Sequence, residues 1–232
     1  MTKLVFLGTK GEIEEFNERH QYHSSTTITS DGVKLLIDYG LLQRYSLDEI
    51  KPNSVLVTHA HPDHYIWLNK DIQTEVPVYL SQETFDYGKF CPPNAQVIPA
   101  DKTYIIGPFH WSSYKVIHSI RCPAVGFKIR VAAKTFVYNP DLVDIIDKDT
   151  VLTDVDYYIG DGSSITANLV RRRGDTFFGH ARITTQINWC KKYGIGNIIF
   201  THLGKQTIEK EIEFSKENTD IVLAYDGMEL EV

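Results

Sequence analysis

Val55-Leu-Val-Thr-His59-Ala-His61-Pro-Asp63-His64 is an apolar run that stops and turns into His-x-His-x-Asp-His. The run reads as a β-strand, being short, β-branched and bounded by turn formers. Residues two apart in an extended stretch point to the same side, so His59 and His61 converge on one cation. Asp63 and His64 lie on the following turn, where the chain reverses and faces a second cation. Neutral imidazole and carboxylate are the donors that borderline divalent metals such as Zn²⁺ and Mn²⁺ take. One motif cannot complete two metal sites, and further donors close other apolar runs. His118 ends Val116-Ile-His118, Asp141 ends Thr135-Phe-Val-Tyr-Asn-Pro-Asp141, and His202 ends Ile198-Ile-Phe-Thr-His202.

The rest of the chain bounds the setting. Its 232 residues suit one large domain as well as two small ones, at roughly 150 residues per domain. No internal repeat or linker divides it, so residues 1–232 read as a single domain. With 24 Lys and Arg against 30 Asp and Glu, the net charge near -6 argues against a basic face that coats DNA or a membrane. It leaves room for a local basic pocket. No stretch approaches the ~20 apolar residues of a membrane helix, and the apolar run within Met1–Lys10 is too short for a secretory signal. Cys91, Cys122 and Cys190 contain no CxxC pair and fit neither a disulfide framework nor a zinc knuckle. They read as reduced, buried thiols of a soluble cytoplasmic protein.

Strand-like runs recur at Leu4–Leu7, Thr26–Thr29, Val33–Ile37, Ser54–Thr58, Val76–Leu80, Tyr114–Ile117, Ala124–Val131, Thr135–Tyr138, Val155–Ile159, Asn197–Thr201 and Ile221–Ala224. Between some of them lie helical patterns. Ile183–Tyr193 sets Ile183, Ile187 and Cys190 on one face and ends in Lys191, Lys192 and Gly194, a favourable stop. Ser81–Phe90 opens Ser-Gln-Glu-Thr and is a second helix candidate. The class is α/β.

The set His59-x-His61-x-Asp63-His64, then His118, Asp141 and His202, resembles the ligand motifs of the metallo-β-lactamase-fold hydrolases. Asp38, ending Val33-Lys-Leu-Leu-Ile-Asp38-Tyr-Gly, matches that family's structural Asp, which buttresses the metal loop. The resemblance implies a four-layer αβ/βα sandwich with a dinuclear site between the two sheet edges. One metal would be held by His59, His61 and His118, the other by Asp63, His64 and His202, with Asp141 between them. Zn²⁺ and Mn²⁺ suit these donors, and Fe²⁺ also falls within their range.

Three segments are similar to the family's phosphodiesterase branch, which holds ribonuclease Z and the cyclic phosphodiesterase of phosphonate breakdown. They are His118-Ser-Ile-Arg-Cys-Pro-Ala124-Val-Gly126-Phe127, Asp156-Tyr-Tyr-Ile-Gly-Asp161 and Gly179-His180-Ala-Arg-Ile-Thr-Thr-Gln186. The chain lacks the long Gly/Pro-rich arm of ribonuclease Z and the paired cysteines of the phosphonate enzyme. The branch resemblance implies a homodimer.

The implied chemistry is phosphodiester hydrolysis, with a hydroxide shared by two cations attacking phosphorus. Two cations roughly 3.5–4 Å apart acidify water and neutralise phosphoryl oxygens. Asp63 counts with the catalytic residues as well as the ligands. His180 is the expected proton donor to the leaving group, oriented and kept basic by Asp161. Arg171, Arg172 and Arg173, the chain's only triple basic run, are candidate phosphate anchors in a loop, since guanidinium forks match phosphate oxygens. A solvated loop or a dimer salt bridge explains the run equally well. The expected substrate is a small cyclic or nucleotide phosphodiester, because long polyanions are held through many phosphate contacts. A nuclease acting on RNA or DNA ends and a glyoxalase-type thioester hydrolase remain open. His20 and His23 read as ordinary loop residues near the cleft mouth, and His110 as a turn residue without a role.

Overall fold

A computed structural model describes residues 1–99 and 102–232. β1 (Thr2–Gly8), β2 (Ser25–Ser30) and β3 (Val33–Ile37) form an antiparallel meander, and β4 (Ser54–Leu56), β5 (Val78–Leu80) and β6 (Ala95–Val97) extend it in parallel. A second sheet begins with β7 (Thr103–Ile106), β8 (Phe109–Ile117), β9 (Ala124–Val131) and β10 (Lys134–Tyr138), each antiparallel to the next. β11 (Asp144–Ile145) returns to the edge of β8, and β12 (Tyr157–Asp161) lies parallel to β10. A separate hairpin, β13 (Arg171–Arg173) and β14 (Thr176–Phe178), precedes β15 (Asn197–Thr201) and β16 (Ile221–Leu223), which continue the second sheet in parallel. β17 (Met228–Glu231) crosses back to pair with β1.

Strand alternation builds the layers. Leu35 and Ile37 join a cluster with Phe109, Trp111, Phe127, Phe136, Ile159 and Ile199, which fills the space between the sheets. The intervening Leu36 packs instead with Val55, Val57 and Trp67 on the outer face of the first sheet. Tyr158, Ile198 and Phe200 likewise turn outward from the second sheet and meet Ile183, Ile187 and Cys190 of the helix Ile183–Lys192. Successive side chains of a strand point to opposite faces, so runs apolar at every position belong to strands covered on both sides. The result is the αβ/βα sandwich that the family resemblance implies, held by side chains each worth about 1.5–3 kcal/mol on full burial.

The helix Ile183–Lys192 buries the expected face and stops before Gly194, whose φ of 71° lies in the left-handed region. The other expected helix is shorter, Gln82–Tyr87, because Gly88 turns extended against the Tyr65 ring. The strand expected at Val155–Ile159 begins two residues later, at Tyr157, and the Asp156 carboxylate ahead of it accepts the Thr135 N–H at 2.8 Å. His110 stands exposed on β8 rather than in a turn. Cys122 and Cys190 are buried as expected, but Cys91 is exposed. Among the described residues no helix is long and apolar enough to cross a membrane.

The parallel strands β4, β10, β12 and β15 decide where chemistry can occur. Their carboxyl ends leave into His59–His64, Asn139–Asp141, Gly162–Ser164 and His202 respectively. Ligand sites of parallel sheets lie outside strand carboxyl ends, where loops meet over a rigid frame.

Candidate metal centre

The loop after β4 is held shape-first by backbone bonds. Tyr39 N–H donates to the His64 carbonyl at 2.9 Å and Leu41 N–H to the Pro62 carbonyl at 2.8 Å. The segment after β3 that carries Asp38 and the loop carrying Asp63 press so close at Gly40 that a Cβ there would lie 2.1 Å from the Asp63 carbonyl oxygen. Asp38 sits wholly buried at a φ of 61°. Its Oδ1 accepts the Thr58 N–H at 2.8 Å, and its Oδ2 faces His64 Nδ1 at 2.8 Å.

Two donor sets form over this loop. His59, His61, His118 and Asp141 offer ligand atoms within 4.8 Å of one another, and so do Asp63, His64, Asp141 and His202. All seven residues expected from the sequence are therefore gathered, with Asp141 common to both sets. Asp141 Oδ2 lies 3.2 Å from His59 Nε2 and 2.9 Å from His64 Nε2. Asp63 Oδ2 lies 3.2 Å from His64 Nε2 and 2.9 Å from His202 Nε2.

The donors fit divalent cations better than they fit one another. His59 Nε2 and His118 Nε2 both converge on His61 Nδ1, at 2.8 and 3.2 Å. One ring nitrogen cannot satisfy two others by sharing a single proton. His64 Nε2 and Asp141 Oδ1 are buried without an aligned hydrogen-bond partner, despite lying in ion-pair range of their neighbours. The remaining ring nitrogens are tied down as metal-bound imidazoles usually are. His118 Nδ1 donates to the Gly179 carbonyl at 3.1 Å, His64 Nδ1 meets Asp38, and His59 Nδ1 meets Thr58 Oγ1 at 3.0 Å.

Burial divides the protonation states. It drives His59 well below the usual histidine range, lowers His61, and brings His118 to about 4. These rings are neutral, the form that coordinates. Burial also disfavours charge at Asp63 and Asp141, but His64 and His202, which these carboxylates raise well above the usual histidine range, outweigh it and hold both carboxylates well below their ordinary values; a bound cation would take the place of those ring protons.

His180 stands beside this pair of sets and, with Asp141, Asp161 and His202, forms a third group whose donor atoms lie within 4.8 Å of one another. Its Nδ1 lies 2.8 Å from Asp161 Oδ2, 3.1 Å from Ser163 Oγ and 3.2 Å from Asp141 Oδ1. Burial opposes charge on the ring, but the Asp161 carboxylate, hydrogen-bonded to it, and the nearby Asp141 carboxylate overcome it and raise its pKa to about 10. Asp161 in turn, despite burial, is held at about 2 by His180. The Leu142 N–H and Ser163 N–H fix its carboxylate at 3.1 and 2.9 Å. A cavity of about 670 Å³ opens over His61, Asp63, Asp141, His180 and His202.

The remaining candidates separate. Arg171, Arg172 and Arg173 form an exposed strand of the hairpin rather than a loop. Arg171 lines a smaller cavity beside His118, whereas Arg172 lies 2.8 Å from the Asp175 carboxylate. His20 and His23 are buried rather than ordinary loop residues. His20 Nδ1 meets Thr9 Oγ1 at 2.8 Å and its Nε2 lies 3.2 Å from Glu211. His23 is lowered to about 4, first by burial. Sequence reasoning missed Thr58, Ser163 and the Gly179 carbonyl. Their only signal is adjacency to a motif residue, which any Ser, Thr or Gly can have.

The chain belongs to the β-lactamase superfamily domain family, whose model matches residues 20–159. Its fold is the metallo-β-lactamase fold. Among solved structures it is similar to the metallo-β-lactamase fold protein YhfI from Bacillus subtilis, at 19% identity and a TM-score of 0.72 over 100% of this chain and 99% of that one. A diphosphatase from the PhnP family is 16% identical, with a TM-score of 0.69 over 100% and 98% of the two chains. Human tRNase Z, short form, is 15% identical, with a TM-score of 0.70 over 99% of each chain. The neighbours thus include members of the phosphodiesterase branch. At these identities the likeness is one of fold. No curated protein matches in sequence.

Proposed function

We propose that this chain is a dinuclear metal-dependent hydrolase that cleaves a small cyclic or nucleotide phosphodiester. The observation that carries the reading is the pair of donor sets meeting at Asp141, with His180 3.2 Å from the same carboxylate. His59, His61 and His118 would hold one cation, Asp63, His64 and His202 the other, and Asp141 both. Divalent cations supply Lewis acidity, a nucleophile at neutral pH and compensation for charge gathering on phosphoryl oxygens.

The chain's own residues do the rest. Asp38 and the Gly179 carbonyl fix the rings of His64 and His118, so that ligand geometry is set before substrate arrives. Asp161 orients His180 through Nδ1 and keeps the ring charged, leaving Nε2 to give its proton to a departing alkoxide. A diphosphatase and a tRNase Z share this fold, which accords with phosphoryl chemistry. Metal analysis of the pure protein, with a panel of cyclic and linear phosphodiesters and Asp63→Ala as control, tests the reading. Diester cleavage that depends on Asp63 is expected. A full metal count with turnover of a lactoylglutathione-like thioester and of no diester would replace it.

A further inference from the structure

The hairpin beside the centre has two unlike faces. Directly opposed residues of an antiparallel pair share one side of the ribbon, and the next pair takes the other. The register sets Arg171 opposite Phe178 and Arg172 opposite Phe177. On the outer face Arg172 is fully engaged. Its guanidinium lies 2.8 Å from the Asp175 carboxylate and 5.6 Å from the centre of the Phe177 ring, and its Nε–H donates to the Gly174 carbonyl at 2.6 Å. On the inner face Arg171 and Phe178 line a cavity of about 360 Å³ that His61, His118 and His180 also line.

This face is fastened to the centre. Gly179 N–H donates to the His118 carbonyl at 2.8 Å, and the Gly179 carbonyl accepts from His118 Nδ1 at 3.1 Å. Gly179 makes the turn at a φ of 108°, and a Cβ there would lie 2.1 Å from the Leu169 carbonyl oxygen. Leu169 borders both this cavity and the main cleft. The donors His61 and His118, and His180 with them, therefore face two compartments.

Resting on the hydrolase reading above, we propose that the smaller compartment is a subsite for the planar base of a nucleotide whose phosphate lies at the metal centre. Phe178 offers the base an aromatic face, and Arg171 offers a guanidinium that stacks on it or donates to its edge. A bare phosphate would engage Arg171 but gain nothing from a phenyl ring. The volume suits one compact group, since small-ligand pockets start near ~300 Å³. A polynucleotide track would require a row of cations along the surface, and the chain carries a net charge of -6.

Calorimetric titration of the full-length protein with adenosine 5′-monophosphate and with inorganic phosphate tests the subsite without requiring turnover. Wild type and Phe177→Ala, altered only on the outer face, should bind the nucleotide at least about tenfold more tightly than phosphate. Arg171→Ala and Phe178→Ala should each lose about that factor for the nucleotide and keep phosphate affinity. Equal affinities for the two ligands in wild type, or an undiminished preference in both inner-face variants, would overturn the subsite. Diester cleavage by the same preparations reads the hydrolase proposal separately. Cleavage without nucleotide preference removes only the subsite, and preference without cleavage removes only the hydrolase.

Discussion

His64 Nδ1 lies 2.8 Å from Asp38 Oδ2, and neither side chain reaches solvent. The contact joins the end of β3 to the donor loop after β4, and it leaves His64 Nε2 directed toward Asp63 and Asp141. Breaking it frees a ring whose position the second donor set requires. Asp38→Ala should weaken metal retention by roughly 10–100-fold, the usual effect of removing a ligand's orienting partner. Competition with a chromogenic chelator measures this, and an unchanged affinity would show that His64 needs no buttress.

His180 touches both Asp161 and Asp141 through one nitrogen, so removing its ring should leave the cation donors in place. His180→Ala is expected to keep the wild-type metal content while turnover of a diester falls roughly 10²–10⁴-fold. Asp161→Asn should lower turnover in the same direction, since it removes the charge that orients and protonates the ring. Wild-type rates in His180→Ala would take the proton donor elsewhere.

Gly40 has no room for a side chain, because a Cβ would stand 2.1 Å from the Asp63 carbonyl oxygen. Gly40→Ala must push the donor loop, and overpacking of this kind costs about 1–3 kcal/mol. Both denaturation midpoint and metal affinity should fall. Gly196, with open space around it, is the control, and Gly196→Ala should stay within about 0.5 kcal/mol of wild type.

Glu211 pins the buried His20 from the far end of the chain, at 3.2 Å, and pairs with Arg19 at 3.0 Å. Burial pushes its carboxyl up, but the approach of His20 and the Arg19 guanidinium hold it below the usual range. A carboxyl with a depressed folded pKa stabilises above its unfolded pKa and loses that contribution as pH falls through the folded value. Glu211→Gln should therefore lower the melting temperature near pH 7 by about 2–4 °C. The deficit should shrink once the pH drops below about 4.3. A deficit that is constant from pH 7 to pH 3 would mean that packing, not charge, is what the substitution removes.

The parts of this site that were legible in the sequence are those fixed by strand geometry. His59, His61, His118, Asp141 and His202 announce themselves because each follows an apolar run, and a strand end is where a parallel sheet presents donors. The helix Ile183–Lys192 was legible on other grounds, since its period and its Gly194 stop are local. What was hidden depends on distant partners. Burial of His20 comes from Glu211, and the Asp226 carboxylate fixes the same loop by accepting the Gln21 and Tyr22 N–H groups at 2.6 and 3.0 Å. No pattern near residue 20 contains those contacts. The division of labour among Arg171, Arg172 and Arg173 was hidden too, because it rests on a hairpin register that places neighbours on opposite faces.

The proposal that seven side chains hold two cations through one shared carboxylate is tested most directly by counting bound metal. Elemental analysis of the purified protein, after reconstitution with Zn²⁺ or Mn²⁺ and removal of excess, should find two equivalents per chain. Asp141→Asn, which alters the only donor common to both sets, should retain at most one. A folded wild-type protein that keeps no divalent metal, or an Asp141→Asn variant that keeps the full complement, would contradict a dinuclear centre here.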